Sequence, residues 1–189
     1  MMQKLVKYAL EQLDRKGRKL TINDLSGDNP YLTRYYLAYP DSVKRERTDI
    51  AFNCFLHQFH RSDEAVFHNH PWKWYFTYIL KGGYWEHTPW GTYWRGAGHH
   101  RVIKGNNWIP YRKSHCPRLG NGINRLSVPM SSLIPSDLHW IEIPRPDQTW
   151  TLFIRGRNHG NGWGFVPNPE TGKFYPWEEY LETMKKSGK

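Results

Sequence analysis

The sequence is poor in cysteine and in long apolar runs. Only Cys54 and Cys116 occur among the 189 residues, too few for a disulfide framework to hold a domain of this size. We therefore expect reduced thiols and a cytoplasmic location. No run of 18 apolar residues is present, which argues against a transmembrane helix, and the first twenty residues lack the continuous apolar core of a signal peptide.

Acidic side chains are also scarce, since 17 Asp and Glu face 27 Lys and Arg and give a formal net charge of +10. Such an excess predicts a polyanionic partner such as nucleic acid, or a small anionic substrate drawn in by the field. The basic residues are spread along the chain, and no RNA-binding signature occurs among them. Both kinds of partner stay open from composition.

No low-complexity or charged stretch marks a boundary between domains, so the length predicts one globular unit. Ten Trp, twelve Tyr and eight Phe supply large buried areas for its core. We divide the chain into an N-terminal helix with a linker (1–30), a main domain that includes a closing helix (31–180) and a basic tail (181–189).

The periodicity of apolar residues predicts a mainly β protein with a helix at each end. The first helix has apolar residues at helical spacing and ends near Gly17, and the closing helix begins near Pro176. Residues 21–30 are typical of turns, and 98–135 of an elaborated loop with one short strand. Short aromatic or β-branched segments predict an antiparallel sandwich or barrel, with strands at 31–39, 50–60, 74–82, 83–88, 91–96, 138–143 and 149–156.

Two histidines lie one residue apart in "HNHPWKWYFTYILKGG", which begins at His68. Alternate residues of a strand point the same way, so His68 and His70 can present two nitrogens to one ion. This pattern alone is a weak indication of a metal site. A third ligand must come from elsewhere in the chain.

The segment "HNHPWKWYFTYILKGG" and the later "IPSDLHWIEI" resemble the two metal-binding motifs of the cupin superfamily. The resemblance runs from about Tyr31 to Tyr180, because "FLHQFHRSDEAVFHNHPW", "WTLFIRG" and "WGF" are similar to cupin-like proteins of bacteria and phages. It implies a cupin-type double-stranded β-helix, also called a jelly-roll barrel, that holds one divalent metal. His139 would then be the third histidine ligand beside His68 and His70.

The sequence departs from the common cupin pattern at the glutamate ligand, which follows the second histidine by four or five residues. Trp74 and Tyr75 occupy those positions here. Either the site has three histidines, as in cysteine dioxygenase, or Glu86 on the next strand replaces the missing carboxylate. We favour three histidines, with His115 as the reserve ligand should His139 lie elsewhere.

Three neutral imidazoles would leave iron(II) its full charge and open coordination positions, so iron is the favoured metal, with manganese, nickel or zinc as alternatives. Tyr75, at the vacated position, is a candidate for a hydrogen bond to substrate. Other candidates are aromatic residues that could stack on a planar substrate and arginines that could clamp an anion, namely Trp72, Trp74, Arg95, Arg155 and Arg157. Each of these also has an ordinary structural interpretation.

Three functions are consistent with these residues. The first is a non-haem iron dioxygenase or other oxygenase that acts on a small or nucleotide-like substrate. The second is a sugar or nucleotide-sugar isomerase or epimerase, in which either the metal polarises a carbonyl or, without metal, a histidine and a tyrosine act as an acid–base pair. The third is a non-enzymatic basic module that binds nucleic acid or a phosphorylated ligand. The resemblance to cupins also allows a homodimer.

Overall fold

The computed structural model describes residues 2–39, 50–105, 107–110, 133–159, 162–168 and 171–186. A helix lies near each end of this part of the chain, α1 at Met2–Arg15 and α2 at Trp177–Lys186. Gly17 follows α1 with φ of +64°, and its amide donates to the carbonyl of Asp14 at 2.8 Å. Both predicted helices are confirmed, and so is the glycine that ends the first.

Between the helices the described residues form short strands. In chain order they are β1 Lys19–Asn23, β2 Pro30–Tyr36, β3 Phe52–Phe59, β4 Phe67–His68, β5 Trp74–Lys81, β6 Gly83–Thr88, β7 Gly91–Gly96, β8 His100–Lys104, β9 Trp108–Pro110, β10 Leu133–Pro135, β11 Trp140–Glu142, β12 Thr149–Gly156, β13 Gly164–Val166 and β14 Tyr175–Pro176. The protein is mainly β, as the sequence predicts.

Ten of these strands belong to two sheets, and eight of the ten, β3 to β8 with β11 and β12, form the barrel. The larger sheet has the order β1-β2-β3-β12-β5-β8, and a smaller sheet has the order β11-β6-β7. A single antiparallel bridge between His68 and His139 joins β4 to the β11 side of the smaller sheet. In the barrel, one sheet has the order β3-β12-β5-β8 and the other β4-β11-β6-β7. If these eight strands are renumbered 1 to 8 in chain order, the two sheets read 1-8-3-6 and 2-7-4-5. This is the strand order of a jelly roll.

The two sheets pack through the side chains that alternate inward along each strand. One cluster joins Leu32 and Phe59 of the larger sheet to Tyr84 and Ile141 of the smaller one. A second, aromatic cluster contains Tyr36, Phe55, Trp72, Tyr75 and Phe153. Aromatic side chains thus provide the buried area that the modest aliphatic content does not.

Two segments contain more strand than the sequence predicts. Residues 21–23 belong to β1, not to a turn, because pairing with β2 places them on the edge of the larger sheet. The stretch 98–135 includes β8, β9 and β10, where one short strand is predicted. Residues 111–132 and His115 lie outside the described residues. Sheet pairing has overridden local composition in both segments.

We expect Gly82→Ala to destabilise the protein by about 3 kcal/mol, because Gly82 closes the tight turn between β5 and β6. Its φ is +73°, and a Cβ there would lie 2.6 Å from the carbonyl oxygen of Gln148. Gly98 has a φ of +89° but open space around it, so Gly98→Ala should cost only about 1 kcal/mol. Urea unfolding of both variants measures the difference, and equal costs would contradict the steric argument.

Candidate metal centre

Three histidines meet between the two sheets. One ligand nitrogen from each of His68, His70 and His139 lies within 4.8 Å of the other two. The antiparallel bridge explains the meeting, since the amides of His68 and His139 each donate to the other's carbonyl at 3.0 Å. His70 follows two residues after His68 and joins them from the same segment. The structure thus brings together the three residues that the resemblance implies as ligands.

Asp137 holds two of these histidines in place. Its backbone carbonyl accepts a hydrogen bond from Nδ1 of His139 at 2.8 Å, which leaves Nε2 of that ring with a free lone pair. Its carboxylate Oδ2 accepts a weaker bond from the amide of His70 at 3.4 Å. Burial raises the pKa of this carboxyl to about 6. A single residue therefore orients ligands from both strands.

Two of the three histidines, His70 and His139, are in the protonation state that binds a metal. Burial, together with the neighbouring histidines, lowers the pKa of His70 well below its ordinary value and that of His139 to about 4. Both rings are therefore neutral near pH 7 and present lone pairs. Three imidazole nitrogens at this spacing fit a divalent transition metal.

Glu86 lies in an ion-pair network and not in the histidine cluster. Its side chain is almost completely buried, and Oε2 accepts a bond from Nε of Arg95 at 2.9 Å. Arg101 binds the other carboxylate oxygen, Oε1. Among the described residues, the group able to hold a metal contains the three histidines without this glutamate.

A different carboxylate lies beside the cluster. Oδ2 of Asp63 is 4.0 Å from Nε2 of His68 and accepts a bond from the amide of Ile141 at 3.1 Å. Tyr31 also hydrogen-bonds this carboxyl, and burial raises its pKa. The sequence interpretation missed Asp63, although it lies only five residues before His68 in the quoted segment.

Tyr75 presents a free hydroxyl next to the histidines. Its ring packs edge-on against His70 with centroids 4.9 Å apart. The hydroxyl is buried, and it has no hydrogen-bond partner in the part of the chain that the structure describes. Burial raises its pKa well above 10, so it stays protonated. An orphaned donor of this kind is a candidate contact for a bound molecule.

The histidines and Tyr75 open into a cavity of about 360 Å³ between the sheets. This volume suits a small organic molecule. Aromatic walls alternate with polar groups that face the interior. The polar residues that line it, apart from the histidine cluster and Tyr75, include Arg34, His57, Asp63, Glu86, Arg101, Thr77, Tyr84 and Thr151.

The remaining sequence candidates divide between the cavity and its outside. Trp72 is buried and stacks on His70 with centroids 5.0 Å apart, so it lines the cavity as part of the wall. Trp74 points away from the cavity, is 37% exposed and lies close to Gly156. Stacking of Trp74 on a substrate in this cavity does not fit its position.

None of the three candidate arginines lines the cavity. Arg95 donates a hydrogen bond to Glu86, and its guanidinium lies 4.9 Å from the ring centre of Tyr93. Arg155 is fully buried, with Nη1 donating to the carbonyl of Gly156 at 3.2 Å. Arg157 is exposed. Arg155 shares the inward face of β12 with Thr151 and Phe153, which do line the cavity, but it lies further along the strand and is buried beyond the lining.

The arginines that do line the cavity were not predicted. Arg34 lies opposite His57 in the pairing of β2 with β3, and Arg101 lies opposite Thr77 in the pairing of β8 with β5. Arg34 on β2 and Arg101 on β8 therefore lie toward opposite edges of the larger sheet, and both line the cavity between the sheets. Alternation within "YLTRYY" places Arg34 on the face of Leu32 and Tyr36, a signal that the sequence contained.

We expect acid to destabilise the metal-free protein partly through His57. Burial and the charge of Arg34 hold the pKa of His57 well below 6.5. Below pH 6.5, His57 therefore binds a proton in the unfolded chain but stays neutral in the folded protein. The free energy of unfolding consequently falls as the pH drops below 6.5. His57→Gln should lose less stability than the wild type between pH 7.5 and pH 5.

Urea unfolding of chelated samples at the two pH values measures this effect. His100→Gln is the matched control, because His100 is exposed on the edge strand β8. Equal losses in the wild type and in His57→Gln would contradict the assignment.

Eight antiparallel strands in this order form a jelly-roll barrel, as predicted from the sequence, and the three histidines lie between its sheets. No helix among the described residues is long and apolar enough to cross a membrane. No protein-family model matches the chain, and no curated protein matches it.

Several solved structures are similar to the chain at low identity. A sugar phosphate isomerase of the cupin superfamily from Silicibacter pomeroyi is 8% identical, with a TM-score of 0.44 over 82% of this chain and 88% of that one. KdgF from Halomonas sp. is 11% identical, with a TM-score of 0.40 over 70% and 84%. Pac13, a nucleoside dehydratase from Streptomyces, is 9% identical, with a TM-score of 0.41 over 79% and 86%. These likenesses are too remote to indicate a function for this protein.

Proposed function

We propose that this protein is a metal-dependent enzyme in which His68, His70 and His139 hold a divalent metal, iron(II) in the first place. We further propose that it is a non-haem oxygenase acting on a small or nucleotide-like molecule. The observation that supports this most is the cluster of three imidazoles at the wall of a cavity between the two sheets. Manganese, nickel and zinc suit the same ligands.

Iron(II) bound there would supply one-electron chemistry and open coordination positions. The chain's own residues do the rest. The hydroxyl of Tyr75 is free to donate a hydrogen bond to a substrate oxygen, and its raised pKa keeps the proton on it. Trp72 stacks behind His70 and fixes the plane of that ring. Trp72 and Phe153 line the cavity, and a polar contact beside apolar side chains is stronger than the same contact in water.

Elemental analysis of protein purified without chelator tests the metal, beside His68→Ala and His139→Ala. We expect near-stoichiometric metal in the wild type and its loss in both variants. Oxygen consumption by the iron-loaded protein with panels of small acids, sugars and nucleotides then tests the reaction class. A folded wild type that holds no metal and takes none up would contradict the metalloenzyme.

A second candidate is an isomerase or epimerase of sugars or nucleotide sugars. The packing of Tyr75 against His70 favours it, because a protonated phenol beside a neutral imidazole is an acid–base pair. If it is correct, Tyr75→Phe should lower turnover by about 10²- to 10⁴-fold while metal content is unchanged. Turnover that persists without dioxygen would separate this reaction from an oxygenase.

The net charge of +10 favours the third candidate, a basic module that binds nucleic acid or a phosphorylated ligand. Its affinity would fall steeply with salt and would survive both chelation and His68→Ala. Binding that disappears with the metal would exclude it.

A further inference from the structure

Arg34 is held at the cavity in a fixed orientation. Its Nε donates to Nε2 of His57 at 3.0 Å, and its guanidinium lies 4.6 Å from the centre of the Phe55 ring. Since Nε2 of His57 accepts this bond, the His57 ring is neutral, in agreement with its lowered pKa. These contacts use Nε and one face of the guanidinium. Within the described part of the chain, the two terminal nitrogens make no hydrogen bond and are available to a ligand.

The cavity lining includes the carboxylates of Asp24, Asp63, Glu64 and Glu86 as well as Arg34 and Arg101, and the ion pairs among the described residues leave Arg34 out. Glu86 forms ion pairs with both Arg95 and Arg101, so its single negative charge is shared by two arginines. No carboxylate of the described residues forms an ion pair with Arg34. A buried or half-buried cation without a counter-ion is costly, so such a group commonly marks the place of an anionic ligand.

Aromatic contacts connect Arg34 to the histidine cluster. The ring of His57 stacks on Phe153 with centroids 5.2 Å apart, and Phe153 lies 5.5 Å from Tyr75 and 6.3 Å from His70. Arg34, His57, Phe153 and the histidine cluster line the same cavity. A single small molecule can therefore touch the guanidinium at one end and the histidines at the other.

We propose that Arg34 binds an anionic oxygen group of the substrate, a carboxylate or a phosphate, while the reacting end of the molecule faces His68, His70 and His139. This inference rests on the proposed function and adds its substrate class, a small organic acid or phosphorylated compound. The free edge of a guanidinium matches either group with two parallel hydrogen bonds. His57 positions that edge and, being neutral, does not repel it.

Isothermal titration with acetate and with inorganic phosphate tests the site. Arg34→Gln removes the positive charge and the paired N–H donors of the guanidinium. We expect it to weaken binding of the preferred anion by about 10- to 100-fold. Arg145→Gln is the matched control, because Arg145 is exposed in the turn before β12 and also carries one charge. Which anion depends on Arg34 distinguishes a carboxylate from a phosphate.

Arg34→Lys serves as the second variant if Arg34→Gln fails to fold, since lysine keeps the charge but not the paired N–H donors. Its binding should be weaker than that of the wild type. Equal binding by the wild type and a folded Arg34 variant, or binding of neither anion by the wild type, would overturn the inference. Metal content is measured on the same samples. Arg34-dependent anion binding by a wild type that takes up no metal would contradict the enzyme and leave the anion site intact.

Discussion

Replacing Glu86 by glutamine is expected to destabilise the protein by about 3 kcal/mol. The variant keeps the shape of the side chain but removes the charge that Arg95 and Arg101 share. Glu86 itself is only 2% exposed, so water does not replace the lost partner. The two guanidinium groups would then lie close together inside the barrel without a counter-ion. Urea unfolding at neutral pH measures the loss.

Glu142→Gln is the matched control, because Glu142 is exposed and pairs only with His87 at the surface. Its effect should stay within about 0.5 kcal/mol. Glu86→Gln combined with Arg101→Gln should recover part of the stability, because one unpaired cation is removed together with its partner. A double variant less stable by the sum of both single effects would refute charge imbalance as the cause.

The second large effect expected concerns metal and stability together. Adding zinc or iron(II) to the chelated wild type at about 100 times its dissociation constant should raise the free energy of unfolding by about 2.7 kcal/mol. His139→Ala should show almost none of this gain, since the loss of one ligand of three weakens binding by roughly 100-fold. Thermal unfolding with and without metal measures both.

His100→Ala provides the control, because His100 is exposed and far from the cluster in the strand order. It should gain as much as the wild type does. A metal-induced gain that persists in both His139→Ala and His68→Ala would place the binding site elsewhere on the folded protein.

The sequence predicted most of the fold, because alternation and turn residues are local signals. The predicted strands at 74–82, 83–88, 91–96 and 149–156 match β5, β6, β7 and β12 almost residue for residue. The missed strand β1 has no such signal, since Thr21–Asn23 lead directly into a turn-rich segment. Its strand conformation depends on pairing with β2, which no local pattern reveals.

The candidate site was only partly predictable for a similar reason. The spacing of His68 and His70 is a local feature, and the resemblance to cupins supplied His139. Arg34 and Arg101 come from strands whose register decides which face looks inward. The sequence interpretation instead chose Arg155, which the structure buries beyond the cavity lining. Among arginines that strands carry, sequence alone does not separate a cavity residue from a buried structural one.

The single bridge between His68 and His139 means that the candidate centre exists only in the closed barrel. These two residues come from β4 and from the approach to β11, which are far apart in the chain, and one antiparallel bridge joins them. Bringing together two segments so far apart in the chain costs entropy. A partly folded chain that presents only His68 and His70 would therefore bind an ion weakly. A metal bound by all three histidines would link β4 to the segment before β11. Tight metal binding would then indicate that the barrel has closed, and loss of the metal would weaken the barrel first at this contact.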